Sequence, residues 1–118
     1  MFIAFAVVTV ITIVLNAGIA IADFSRAGFV LANSAEVGLP PSLLPLLATL
    51  KAAGAVGLLL GLLGAQFVGI AAAIGLVLFF TGALAVHFRA RVFYNIAFPG
   101  AYFSAAVASL VLAVMRIT

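Results

Sequence analysis

From Phe2 to Ala22 the chain runs without a single charged residue. Coiled as a helix at about 1.5 Å per residue, that run is long enough to cross a hydrocarbon core of about 30 Å. Three further apolar runs of similar length follow. The composition is 69% hydrophobic and 6% charged, whereas soluble domains carry about 25% charged residues. Mean hydropathy is +1.53. A chain this apolar lacks the polar groups to cover a surface in water, so its solvent is expected to be lipid.

At 118 residues the chain is expected to be one membrane domain, 1–118. Its first run lacks a basic leader and exceeds a usual signal core, so it reads as a retained span. The formal charge is +3. The five basic residues form no stripe or run, which argues against nucleic acid as a partner. Without cysteine, thiol redox chemistry, disulfides and thioether-linked haem are excluded for this chain.

Spans are expected at 2–22, 42–63, 67–88 and 96–115, with an interfacial segment at 23–41. Pro40 and Pro41 open the second span, and Pro45 sits in its first turn, where no amide donor is needed. Pro99 opens the fourth span in the same way. Short connections make the fold class all-α, an integral membrane four-helix antiparallel bundle. Arg26, Arg89 and Arg91 flank one face and Arg116 the other. This bias favours both termini outside, in a bacterial cell membrane. Gly54, Gly57, Gly61 and Gly64 share a face of the second span, with Gly75 and Gly82 on the third and Gly100, Ser104 and Ala108 on the fourth. In lipid, small residues let helices approach closely; these serve either packing within the bundle or a homodimer.

Polar residues inside a membrane are costly, so their positions are informative. An ammonium at Lys51 costs about 2.5–3.5 kcal/mol on insertion scales unless paired or hydrated. The only carboxylates, Asp23 and Glu36, fall at the same end as Lys51, His87, Arg89 and Arg91. Thr9, Thr12, Asn16, Asp23 and Arg26 repeat at spacings that share one helix face. Asn16 lies about 10 Å below Asp23 along that face. These positions predict a cavity bounded by Asn16, Asp23, Lys51 and His87, open toward the charged end.

Each residue also has a plainer role. Lys51 either serves a ligand or proton, or snorkels and pairs with Asp23 or Glu36. His87 is either a base or ligand contact, or an interfacial side chain. Asp23 and Arg26 stand three apart and are placed for a local ion pair. Thr9 and Thr12 are placed to bond their own helix backbone, and Arg89 and Arg91 to set topology. Gly28 to Val37 is readable as a short interfacial helix ended by Gly38, either a lid or a passive connector. One histidine and two carboxylates make poor material for a metal site, and no phosphate-binding or nucleophile motif is present. No metal or cofactor is expected. With only Gln66 at the far turn, neither is a through-pore.

The runs LPPSLLPLLATLKAAGAVGLLLGLLG, GIAAAIGLVLFFTGALAVHFRAR and AFPGAYF, with ADFSRAGFVLANSAEVGLP upstream, resemble the small DoxX-like membrane proteins, especially the actinobacterial form. The resemblance spans nearly the whole chain and rests on the order and spacing of apolar, glycine-rich motifs. It implies a four-helix membrane bundle and an association with membrane redox assemblies or with chaperoning of membrane proteins. Many such relatives carry an acid near the position of Lys51, so no catalytic residue is carried over. Two functions follow from the residues. One is binding of a lipophilic molecule (quinone, isoprenoid or lipid) or a membrane protein partner, as an accessory of a membrane assembly. The other is a cofactor-independent intramembrane enzyme of isomerase, cyclase or hydrolase type. In that enzyme Asp23 or Glu36 would act as acid or base and Lys51 would stabilise developing negative charge.

Overall fold

A helix crossing lipid must satisfy its backbone internally, and four segments of this chain do so without interruption. The computed structural model describes residues 2–118. Its elements are α1 (Phe2–Phe24), α2 (Gly28–Glu36), a 3-10 turn (Pro41–Leu43), α3 (Leu44–Leu62), α4 (Gln66–Ala90) and α5 (Ala97–Ile117). Helices α1, α4 and α5, and α3 with its leading turn, are each long and apolar enough to cross a membrane. The protein is an integral, multi-pass membrane protein of the all-α class. The expected spans hold to within two residues at each end, with one consequence for the site. Asp23 belongs to the last turn of α1, not to the connector.

Local chemistry sets the ends. Pro45 stands in the first turn of α3, where its missing amide has no partner to lose. Gly38, at φ 80°, ends the segment carrying α2, and Gly64, at φ 126°, turns α3 into α4. Helix α4 ends at Arg91, a left-handed residue at φ 56°. There the Arg91 and Val92 amides donate back to Phe88 O and His87 O, a helix stop more often made with glycine.

Helix α1 packs on α3 and α5, and α4 closes the ring by packing on the same two. Successive spans run antiparallel in a body 41 Å long and 25 by 18 Å across. The distribution of polarity is inverted relative to a soluble protein. Ile3, Val14, Leu63, Phe67 and Leu78 are exposed, whereas Thr9, Thr12, Asn16, Asp23, His87 and Ser109 are buried. The buried face of α1 is Phe5, Thr9, Thr12, Asn16, Ala20 and Asp23, a helical stripe extended by Ala20. It is stitched to α5. The Thr12 hydroxyl donates to Val8 O at 2.8 Å and lies 2.7 Å from Ser109 Oγ, while Tyr102 donates to Leu15 O at 3.1 Å.

Glycine spacing marks the seam of α3 correctly only in part. A Cβ on Gly54 would fall 2.5 Å from Leu76 Cδ2, one on Gly57 2.5 Å from Ala72 Cβ, and one on Gly61 2.6 Å from Gly69 Cα. The α3–α4 contact is therefore backbone against backbone at Gly61 and Gly69. Gly64, Gly75, Gly82 and Gly100 do not join it: a Cβ on any of them would meet nothing within 4 Å. Ser104 is exposed and bonds Gly100 O on its own helix. The inward face of α5 is instead Pro99, Tyr102, Ala106, Ser109 and Ala113.

These contacts separate two glycine substitutions on neighbouring helices. Gly61→Val forces the α3 and α4 backbones apart and is expected to cost about 1–3 kcal/mol. Gly75→Ala should instead be neutral, or stabilise by up to about 1 kcal/mol through helix propensity. Thermal unfolding of the purified variants in detergent measures both, and equal stabilities would contradict the seam.

Candidate functional site

The last turn of α1, the first half of α3, the C-terminal half of α4, the start of α5 and the whole of α2 surround a cavity of about 630 Å³. Its walls are chiefly apolar, with Leu47, Leu50, Phe79, Phe80 and Phe98 among them. Into this lining the fold brings Asp23, Lys51, His87 and Glu36. Their convergence follows from topology: antiparallel spans return the end of α1, the start of α3 and the end of α4 to the same side.

Lys51 Nζ donates to Asp23 Oδ2 at 2.7 Å, and the two side chains are only 12% and 4% exposed. Taking two charges out of water is expensive, and attraction repays it only when the geometry is good and the remaining hydrogens find acceptors. Here the ammonium also sits 5.3 Å from the centroid of the Phe79 ring, a cation–π contact. Asp23 therefore pairs with Lys51 and not with Arg26. The reason is helical geometry: Arg26 lies past the end of α1, at φ 53° and exposed, while Asp23 still points inward.

His87 is 3% exposed. Its Nδ1 lies 2.8 Å from Ala83 O, one turn back on α4, and its Nε2 has no partner. A buried polar atom left unpaired costs about 1–3 kcal/mol. The side chain does not face the outer surface of the bundle. It is inside the wall.

Helix α2 forms one wall of the cavity. It buries Val30 and Ser34 inward and leaves Phe29 exposed. Two side-chain links tie it to the segment between α4 and α5. The Tyr94 hydroxyl lies 2.6 Å from both Glu36 oxygens, and Asn95 Nδ2 donates to Asn33 Oδ1 at 2.9 Å. The Glu36 carboxylate accepts the phenolic proton and so raises the Tyr94 pKa above its ordinary 10.0. A raised phenol pKa stabilises the latched state below pH 10, and that contribution fades as pH rises through the folded-state value.

Asn16 does not line the cavity. It is fully buried, donates from Nδ2 to Thr12 O at 3.0 Å and leaves Oδ1 unpartnered. At its level α1 and α5 have already closed on each other through Tyr102 and Leu15. Arg89 and Arg91 are exposed. A reading of the sequence weighted by charge passes over Tyr94, Asn95 and Asn33. Their only advance signal is that neutral polar side chains cluster at the charged end.

Removing one member of the central pair should do more damage than removing both. Lys51→Met leaves a buried carboxylate and is expected to cost about 3 kcal/mol. Lys51→Met combined with Asp23→Asn should recover much of that loss in the same thermal unfolding assay. Additive losses would contradict a coupled buried pair.

The sequence model of the DoxX-like family matches residues 7–109. Neither the curated proteins nor the solved structures compared with the chain give a match. The match runs from the first turns of α1 to Ser109 on the inward face of α5, and so takes in every residue that lines the cavity. The chain belongs to the DoxX-like family.

Proposed function

We propose that the protein binds a lipophilic small molecule (a quinone, an isoprenoid or a lipid) in the cavity beneath α2, as an accessory of a membrane assembly. The observation that carries this reading is the cavity itself. At about 630 Å³ it lies within the usual range for small-molecule sites, about 300–1,000 Å³. It also has the usual make-up, an apolar wall with a few convergent polar groups. Asp23, Lys51 and His87 meet the polar end of the ligand, and the aromatic and leucine wall holds its body.

Binding is favoured over catalysis because both carboxylates are engaged. Asp23 is held by Lys51 and Glu36 by Tyr94, which leaves neither carboxylate free to act as acid or base beside the cavity. In this reading the membrane is the bacterial cell membrane, both termini are outside, and the lid faces the cytoplasm. Any contact with a second copy or a membrane protein partner is made by the exposed apolar surface of the bundle.

Purification with native lipid, followed by mass spectrometry of the organic extract, tests the reading. A lipophile should co-purify with the unaltered protein. Leu47→Trp and Val86→Trp, which fill the cavity from α3 and α4, should lower its retention by about tenfold, equivalent to about 1.4 kcal/mol. Failure of the unaltered protein to retain any lipophile would overturn the proposal, as would undiminished retention by both variants with unchanged thermal stability.

A further inference from the structure

The unpartnered nitrogen of His87 restricts what the cavity can hold. His87 Nδ1 lies 2.8 Å from Ala83 O. A carbonyl oxygen has no hydrogen to give, so Nδ1 carries the proton and donates it. With the ring neutral, Nε2 is then an acceptor only. It is buried and meets no donor among the described residues. A second acceptor lining the cavity, Asn95 Oδ1, is in the same condition, because the amide link of Asn95 to Asn33 uses only its Nδ2.

Of the donors at the site, one Lys51 hydrogen goes to Asp23 Oδ2 and the ammonium also faces the Phe79 ring, which leaves Lys51 hydrogens that a ligand oxygen can accept. The Tyr94 hydroxyl goes to Glu36. Unfilled acceptors beside an apolar cavity select a ligand that brings its own hydrogen. A ligand whose polar end only accepts, such as an ether or an ester carbonyl, leaves His87 Nε2 unpaired.

We propose that the ligand of this cavity is a lipophile ending in a hydroxyl, an alcohol or a phenol, that donates to His87 Nε2. The inference rests on the binding function proposed above and adds the chemical class of the ligand. The imidazole is only 3% exposed, so the contact forms as the wall yields to the incoming molecule. Helix α2 is the wall built to yield. It is joined to the bundle by the Tyr94 and Asn95 links, and its flanks turn at Arg26 and Gly38, both of positive φ.

The test is equilibrium binding to the full chain in lipid nanodiscs, with matched probes that differ only at the polar end. Oleyl alcohol is compared with its methyl ether and with oleic acid, and 4-nonylphenol with its methyl ether. For at least one pair, the hydroxyl compound should bind about tenfold more tightly than its ether, the scale of one buried hydrogen bond. The pair that does so distinguishes an aliphatic alcohol from a phenol. In His87→Leu the ratio should fall to about one while ether binding persists, which shows that the variant is folded. His87→Gln, which returns an acceptor oxygen, should restore part of the ratio.

A preference for oleic acid would mean that the ring is charged and donates from Nε2, and would overturn the proposal. So would a hydroxyl preference that survives His87→Leu. Binding of every probe without discrimination overturns the hydroxyl assignment alone. Binding of none overturns the cavity as a binding site as well.

Discussion

A lysine and an aspartate, the only ones in the chain, meet at 2.7 Å beside the largely apolar wall of the cavity. Neither charge is tolerable alone at that depth. Each therefore fixes the other, and with it the angle between α1 and α3. Asp23 holds the last turn of α1 against α3, and Lys51 in return keeps its stem along the cavity wall instead of extending it to the membrane surface. The polar end of the cavity is organised around this contact. Phe79 completes the surroundings of the ammonium, and the space next to the pair stays open because no bulky side chain fills it.

The other end of the bundle is constrained in the opposite way. There α3 and α4 approach until Gly61 and Gly69 touch through their backbones. Dispersion between closely packed atoms is the main gain available to helices in lipid, and glycine supplies it by giving up a side chain. Spans pinned together at a short turn and separated at the far end form a wedge. The cavity lies in its open half, and α2 lines it. The wedge explains how a chain this short holds both a tight core and a space the size of a small-molecule site.

The sequence makes much of this legible. Apolar runs mark the four spans, prolines mark the starts of the second and fourth, and the spacing of Thr9, Thr12, Asn16 and Asp23 marks the inward face of α1. The gathering of charged residues at one end follows from topology alone. Other features depend on three-dimensional distance. Gly75 and Gly82 look like Gly57 and Gly61 in the sequence, yet neither packs against a neighbouring helix and Gly82 lines the cavity, because the pattern of small residues does not say which side of a helix meets a neighbour. Asn16 lies on the predicted face but below the cavity, since depth along α1 does not reveal where α5 closes on it. The links of Glu36 to Tyr94 and Asn33 to Asn95 join residues about sixty positions apart, and local periodicity carries no sign of such pairs.

Because the chain has one lysine and one aspartate, the central contact can be observed without mutation. Protein labelled with nitrogen-15 lysine and carbon-13 aspartate, reconstituted in bilayers, contains a single pair of labelled side chains. Solid-state dipolar recoupling between Lys51 Nζ and the Asp23 carboxyl carbon should show the through-space coupling of hydrogen-bonded ion-pair partners, as set by the 2.7 Å contact between nitrogen and oxygen. No measurable coupling, with the protein folded and helical, would contradict the account.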